Sequence, residues 1–398
     1  MAGRRAGRWA LLLLIQFLII ISLLEVGLRA AAAHLPSRFT PALVRVLRGE
    51  RFEIDTVSYM QSDGDGGIAL LPDLHNVTQM ISPDVHFSFS TISLWGSHIG
   101  FRTRPVDYLV ETVVVGDSFS FCFTRDEDCW VRRYETDTGL GTVNLAQPGT
   151  AGTSHLSLLK RYAAPLKPRL VLWQFFGNDF NEEYGFAVAR GAIQASKDAN
   201  RLEPPPAPDE GMLLGWLRDH SLAFALLDVA LFNNDWAYLS EFQRLYDEQY
   251  QAKIGPETLH FGQHYELQVM NTDDPRNQAG MAYTLAALLE ARELVEGWGG
   301  HLAVLIVPTR ELVYAEHTAP LLGERALAIH DAPRQQMLAW CAEYALTCFD
   351  ALPRLREYAA STPLLYYADD LHLNPTGNAV FAEVVWRWLG GLGLLYES

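Results

Sequence analysis

The run Val113-Val114-Val115 stops at Gly116-Asp117-Ser118, and helix-compatible sequence begins soon after. A short β-branched apolar run bounded in this way reads as a strand buried on both faces of a parallel sheet. Gly116 permits a tight turn that a Cβ would resist. Ser118 is then expected at the carboxyl end of a central strand, near a helix N-terminus, where open α/β sheets bind their ligands. Gly-Asp-Ser alone is too short to carry a function, because a serine capping a helix after a strand has the same look.

The same strand-to-loop pattern recurs along the chain. Strands are predicted at 107–115, 141–146, 170–176, 301–307 and 345–349, and helices at 126–136, 154–163, 278–297, 325–344 and 376–389. This alternation predicts an α/β fold, a parallel sheet with helices on both faces. Asn374 as N-cap and Pro375 at the first helical position define the start of the last helix. Between the third and fourth strands, residues 180–275 hold the proline-rich run at 203–208, an apolar helical stretch at 212–232 and the aromatic segment from Trp236 to Tyr250. So many residues between neighbouring sheet elements read as an insertion. It is expected over the carboxyl-end face as a lid or selecting subdomain, the alternative being an ornament on the sheet edge. Residues 35–106 carry Pro36, Pro41, Pro72 and Pro83, a turn-rich stretch from Asp63 to Gly67 and the alternating His86 to Ser90. They read as a stalk and an irregular lead-in that packs on the main domain.

Residues 1–34 stand apart. Arg4, Arg5 and Arg8 precede an apolar run from Trp9 to about Leu28, broken only by Gln16, Ser22, Glu25 and Gly27. A span of about 20 residues matches a bilayer core, whereas a signal-peptide core is nearer 7–15. The arginines ahead of the run put the N-terminus in the cytoplasm. The expectation is an uncleaved single-pass anchor; the small residues Ala30 to Ala33 would also suit cleavage. Either way residues 35–398 lie beyond the cytoplasmic membrane. The expected domains are therefore 1–34 (tip and anchor), 35–106 (stalk and lead-in) and 107–398 with its insertion. An exported domain permits disulfides among Cys122, Cys129, Cys341 and Cys348, with three connectivities or free thiols open. The net charge of -16 argues against a nucleic-acid partner.

The candidate chemistry sits just past the ends of predicted elements. Ser118 is a weak nucleophile without a base, and His372 supplies one. Asp369, three residues earlier, can fold back to fix the imidazole tautomer; Asp370 competes for that role. The N–H groups of Ser118 and Gly149 and the Asn178 amide would hold a developing oxyanion. Asp117 and Asp179 read as loop braces, His155 as a surface residue and Cys122 as packing behind the serine. His260 and His264, four apart, suit one helix face but have no acidic third ligand, so no metal site is expected. There is no Gly-x-Ser-x-Gly elbow and no phosphate-cradling glycine loop.

Gly116-Asp117-Ser118, Asn144-x-Ala146-x-x-Gly149, Gly177-Asn178-Asp179 and Asp369-x-x-His372 resemble, in order, the four blocks of the SGNH (GDSL) hydrolases, over about residues 107–390. The resemblance implies a flavodoxin-like three-layer α/β/α sandwich. It also implies Ser118 as nucleophile, His372 as base, Asp369 as orienting acid, and Ser118, Gly149 and Asn178 as oxyanion donors, with no cofactor. Family members are esterases, lipases and carbohydrate O-acyl esterases, and some membrane-anchored relatives acylate exported polysaccharides. Those acyltransferases often carry the Asp-His pair elsewhere in the chain, so its C-terminal position here favours hydrolysis. The expectation is a membrane-anchored extracytoplasmic esterase acting on an ester such as an O-acetyl group of a cell-envelope glycan. The alternatives are an O-acyltransferase fed by a membrane acyltransferase partner and an inactive glycan-binding scaffold.

Overall fold

The computed structural model describes residues 2–53, 59–64, 67–82, 84–195, 202, 205–206, 209–361 and 364–395. Most of the proline-rich run, Asp65, Gly66 and Pro83 lie outside the described residues. The chain divides into two compact units, Met1–Ile54 with Pro204–Asp247, and Asp55–Glu203 with Glu248–Ser398. The expected insertion is thereby divided. Residues 204–247 group with the N-terminal segment, whereas 180–203 and 248–275 belong to the unit that holds the sheet.

In the larger unit, five strands form the central sheet: β7 (Thr112–Val115), β8 (Thr142–Asn144), β9 (Leu170–Phe175), β12 (His301–Ile306) and β13 (Thr347–Asp350). Their order is β13-β12-β9-β7-β8, and every pairing is parallel. Taken in chain order this is the 2-1-3-4-5 arrangement of flavodoxin-like sheets, whose direction of winding reverses beside the first strand. That strand is β7, the one leading into Ser118. Val113, Val114 and Val115 are fully buried, so both faces need helices. Val113, Val115, Trp173 and Val304 share a core with α5 (Gly152–Leu158), α6 (Asp179–Ala189), α10 (Pro275–Gly297) and α13 (Glu324–Glu343). The intervening residues point the other way: Thr112 meets Tyr134 of α4 (Trp130–Thr138), and Trp130 packs edge to face on Phe381 of α15 (Pro375–Gly391). The expected α/β/α sandwich is the observed fold. Asn374 caps α15 as expected, its side-chain oxygen accepting from Gly377 N at 2.9 Å.

Ahead of the sheet run the short strands β1 (Met60–Ser62), β2 (Ile68–Leu70), β3 (Val77–Ser82), β4 (Val85–Phe89), β5 (Ile92–Ser93) and β6 (Gly100–Phe101). Gln147 ties them to the loop after β8, donating to Gly100 O at 3.0 Å and accepting from Leu70 N at 2.7 Å. Beyond α6, the hairpin β10 (Glu248–Ile254) and β11 (Glu257–Gln263) leads into α9 (His264–Val269). Cys122–Cys129 and Cys341–Cys348 are both disulfides.

The smaller unit consists of α1 (Ala2–Ala30), α2 (Thr40–Arg48), α7 (Gly211–His220), α8 (Leu222–Phe232) and short 3-10 turns. The apolar stretch at 212–232 is two helices, because Ser221 leaves the helical region and caps α8 by accepting from Phe224 N. Its core is small: Ala42, Val46, Leu222, Leu226, Val229 and Tyr238, with Leu28 of α1 packed against it.

Candidate active site

Ser118 opens a single helical turn, α3 (Ser118–Phe121), directly after β7. Gly116 makes the turn possible, since a Cβ there would lie 2.5 Å from Gln174 Oε1 and 2.8 Å from Ser120 Oγ. That Gln174 oxygen, reaching over from β9, accepts from Asp117 N at 3.0 Å and from Ser120 Oγ at 3.1 Å. Asp117 caps the turn by accepting from Phe119 N at 2.8 Å. Asn144, at the end of β8, donates to Ser120 O at 2.7 Å and steadies the same turn. The serine is thus held by groups from three adjacent strand ends.

His372 meets it from the far end of the chain. Its Nε2 lies 2.8 Å from Ser118 Oγ, and its Nδ1 lies 2.6 Å from Asp370 Oδ1. Phe119 and Phe123 flank the ring, with centroids at 4.8 and 4.2 Å. A carboxylate on Nδ1 fixes the tautomer that leaves Nε2 free to take the hydroxyl proton.

The partner on Nδ1 is Asp370, not the expected Asp369. Asp370 Oδ1 also accepts from the His372 backbone N–H at 2.9 Å, so the acid and the base share a two-residue turn. Asp369 is turned away: its carboxylate pairs with His260 of β11, and its N–H, with that of Ala368, donates to Asp84 Oδ2. His260 and His264 therefore share no helix face, since one lies in a strand and the other begins α9.

Of the three expected oxyanion donors, Gly149 has the left-handed φ of 66° that a glycine accepts without strain. The Asn178 Nδ2 donates to Glu182 Oε1 at 2.9 Å and to the Tyr265 hydroxyl at 3.2 Å, while its Oδ1 is buried without a partner among the described residues. Turned over, this amide would accept from Tyr265 and from a neutral Glu182 and free its N–H groups for an oxyanion. Burial, reinforced by the charges of Asp117 and Glu183, raises the Glu182 carboxyl well above the usual range, which favours that neutral form. Burial also pushes Asp117 up to about 6, against the pull of the Phe119 N–H and His372. Asp179 is raised well above its ordinary value by burial and by Asp117. His155 is not on the surface as expected. It is fully buried, edge to face with Trp173, and burial lowers it to about 3, so it stays neutral.

Behind the acid lies a cluster that no sequence spacing announces. Arg310, at the start of α11 (Arg310–Val313), donates from Nη1 to Asp370 O at 2.9 Å, and its Nε is 3.4 Å from Glu311 Oε1. Glu266, Glu311 and His330 stand beside it, all buried, each with a ligand-type atom within 4.8 Å of the others. Burial and the Glu311 charge raise Glu266 well above the carboxylate range. Burial opposes the Glu311 charge, but His330, Arg310 and the Gly262 N–H outweigh it. The two carboxyls are thus pushed in opposite directions, with the Arg310 guanidinium beside the lowered one.

Residues 266–391 match the family model described as the SGNH hydrolase-like domain of acetyltransferase AlgX. Similar solved structures include a lipolytic G-D-S-L family member from Veillonella parvula, 11% identical over 70% of this chain and 97% of that one, with a TM-score of 0.36. A catalytic mutant of the acetylxylan esterase Axe2 from Geobacillus stearothermophilus is 12% identical over 70% and 93%, with a TM-score of 0.35. TesA is 16% identical over 71% and 98%, with a TM-score of 0.33. No match was found among curated proteins. Residues 266–391, in the larger unit that holds the 2-1-3-4-5 parallel sheet, are thus similar to an SGNH hydrolase-like domain.

Proposed function

We propose that this protein is a serine-dependent O-acyl ester hydrolase, anchored by α1 and acting outside the cytoplasmic membrane on acetyl esters of an envelope or exported glycan. The observation that carries the reading is the Ser118–His372–Asp370 relay, with 2.8 Å between Oγ and Nε2 and 2.6 Å between Nδ1 and Oδ1. Ser118 Oγ attacks the ester carbonyl as its proton passes to His372 Nε2. The tetrahedral oxyanion rests on the N–H groups of Ser118 and Gly149 and on the Asn178 amide. Collapse expels the alcohol, which takes the proton from His372 and leaves an acyl group on Ser118. Water, deprotonated by the same imidazole, then releases the acid and restores the serine. Asp370 keeps the imidazolium in place throughout.

A second reading differs only in the last acceptor: a sugar hydroxyl replaces water, and the enzyme is an O-acetyltransferase. The match to a domain named for an acetyltransferase favours it. The anchor rests on the apolar span Leu11–Ala30, of mean hydropathy 2.6 and with none of its described residues buried, and on the arginines that precede it.

The test is the full-length protein in detergent with an activated acetate ester, with and without an oligosaccharide acceptor. Wild type is expected to release acetate and to carry one acetyl group on Ser118 by mass spectrometry; Ser118→Ala should do neither. Equal turnover by both proteins would sink the proposed nucleophile. Acetylated oligosaccharide in excess of free acetate would select the transferase reading.

A further inference from the structure

Beside its small apolar core the smaller unit buries paired charges: Arg218 donates to Asp228 at 2.8 Å, Tyr238 donates to the same carboxylate at 3.0 Å, and Arg45 pairs with Glu210 at 2.8 Å. Two of its helices turn large apolar side chains outward. On α7 the side chains of Met212, Leu213 and Trp216 are 95, 69 and 55% exposed, and on α8 those of Leu227, Leu231 and Phe232 are 52, 68 and 74% exposed. Between Leu222 and Phe232 the only charged residue is Asp228, and it faces inward. A helix that is apolar all round belongs within a core or in lipid. One side of α8 has its core, in Ala42, Val46 and Tyr238. Among the described residues nothing covers the other.

What covers it is indicated by where α1 ends. Leu28 packs into the same small core. The Glu25 carboxylate accepts from Leu222 N at 2.8 Å and Ala223 N at 2.9 Å, the free amides at the start of α8. Arg29 Nη2 donates to His220 O at 2.9 Å, at the end of α7. The last turns of α1 are therefore fixed to the joint between α7 and α8. Upstream, Trp9–Leu24 contains 16 residues without a charge, about 24 Å of helix against a hydrocarbon core of about 30 Å. One more turn, residues 25–28, is needed to complete the crossing. That turn holds Glu25, whose oxygens are already satisfied by the α8 amides and by Arg29. Completing the span draws the α7–α8 joint to the edge of the hydrocarbon.

We infer that the outer faces of α7 and α8 form a membrane-inserted shelf, lying among the headgroups and upper acyl chains of the leaflet from which α1 emerges. The occupant is phospholipid, and this inference rests on the anchor reading of α1. The shelf has the make-up of an interfacial element, with bulky apolar groups including a tryptophan on one side and satisfied polar groups on the other.

The experiment uses the full-length chain in phosphatidylethanolamine–phosphatidylglycerol vesicles containing phosphatidylcholine brominated at a shallow or a deep acyl position. The emission of Trp216 is isolated as the difference between wild type and Trp216→Phe. It is expected to be quenched at least twofold by the shallow bromines and less by the deep ones. A Leu227→Glu, Leu231→Glu, Phe232→Glu variant changes only exposed side chains, and should keep its far-ultraviolet circular dichroism while losing more than half of that quenching. Trp216 as bright in brominated as in plain lipid would overturn the shelf and leave the face for a protein partner. Alkaline carbonate extraction separates the two failures. Release of wild type would sink the anchor reading itself, and retention with an unquenched Trp216 would sink the shelf alone.

Discussion

The loop at 368–372 presents two neighbouring carboxylates, and the protein gives each its own histidine. Asp370 and His372 are both 7% exposed, and Ser118 lies beyond them. The Asp369 and His260 side chains are 26 and 32% exposed, with the β11 strand behind them. The two pairs have the same chemistry and opposite surroundings. Arg310, within a buried cluster of titratable groups, holds the inner aspartate through its carbonyl, whereas Asp84 holds the outer one through its amide. An Asp–His pair becomes a catalytic relay through what stands behind it and in front of it. The outer pair is the more exposed one and sits where water weakens its field.

The sharpest way to break this comparison is to neutralise each aspartate in turn. Asp370→Asn should lower kcat/KM on an acetate ester by about 10²–10⁴-fold, because an amide can stabilise the wrong imidazole tautomer and cannot steady the imidazolium. Asp369→Asn should stay within about threefold of wild type, since its carboxylate touches neither the base nor the nucleophile. Steady-state kinetics on the two proteins decides the matter, and comparable losses from both would erase the distinction between inner and outer pair.

That distinction was hidden in the sequence, for a physical reason. The five strands were legible because buried β-branched runs and their flanking turns are local signals, and the placing of Ser118 and His372 was legible because one follows such a run and the other precedes a well-capped helix. The choice between Asp369 and Asp370 is a one-residue matter of direction. It is made by His260 and Asp84, which lie far away in the sequence and carry no motif. The buried cluster of Arg310, Glu311, Glu266 and His330 is drawn from three elements and leaves no spacing to read. His155 looked like a surface residue because nothing near it in sequence says that Trp173 covers it. The grouping of 204–247 with the first 54 residues was equally unreadable, since its marks are pairs such as Arg45–Glu210 and Glu25–Leu222 across most of the intervening chain.

The inner side should also be the costly one to disturb. Arg310→Met removes the donor on the Asp370 carbonyl and leaves the Glu311 charge buried beside a neutral Glu266. Breaking a buried pair from one side costs about 3–5 kcal/mol, so a large fall in the denaturation midpoint is expected. Adding Glu311→Gln should recover part of it, because the stranded charge is gone, and chemical denaturation of the single and double variants measures the coupling. A smaller effect belongs to Asp117, pushed up to about 6 by burial. An acid whose folded value exceeds its unfolded one binds more protons when native, so stability is fullest below about pH 4 and falls as pH rises to about 6. Asp117→Asn keeps a capping oxygen and should flatten that slope, leaving the variant about 1–3 kcal/mol better off at pH 7 relative to its own value at pH 4 than wild type is. Denaturation curves across pH 4–7 give the comparison directly, and unchanged slopes would mean that the carboxyl is not strained by its burial.

The smallest effect is expected where the outer pair is cut. His260→Ala removes the imidazole from Asp369 but keeps the His260 backbone N–H on Ala368 O at 2.9 Å, and the Asp84 contacts to Ala368 and Asp369 also remain. The loop therefore keeps the bonds that set its path, and only a half-exposed imidazole–carboxylate contact is lost. Such pairs contribute about 0–1 kcal/mol and are screened by salt. The melting temperature should drop slightly at low ionic strength, the difference should vanish in about 1 M sodium chloride, and kcat should hardly change. A tenfold loss of kcat that persists in high salt would place His260 in the chemistry. In that case the hairpin β10–β11 would count as part of the catalytic apparatus, not as a support for the loop that carries it.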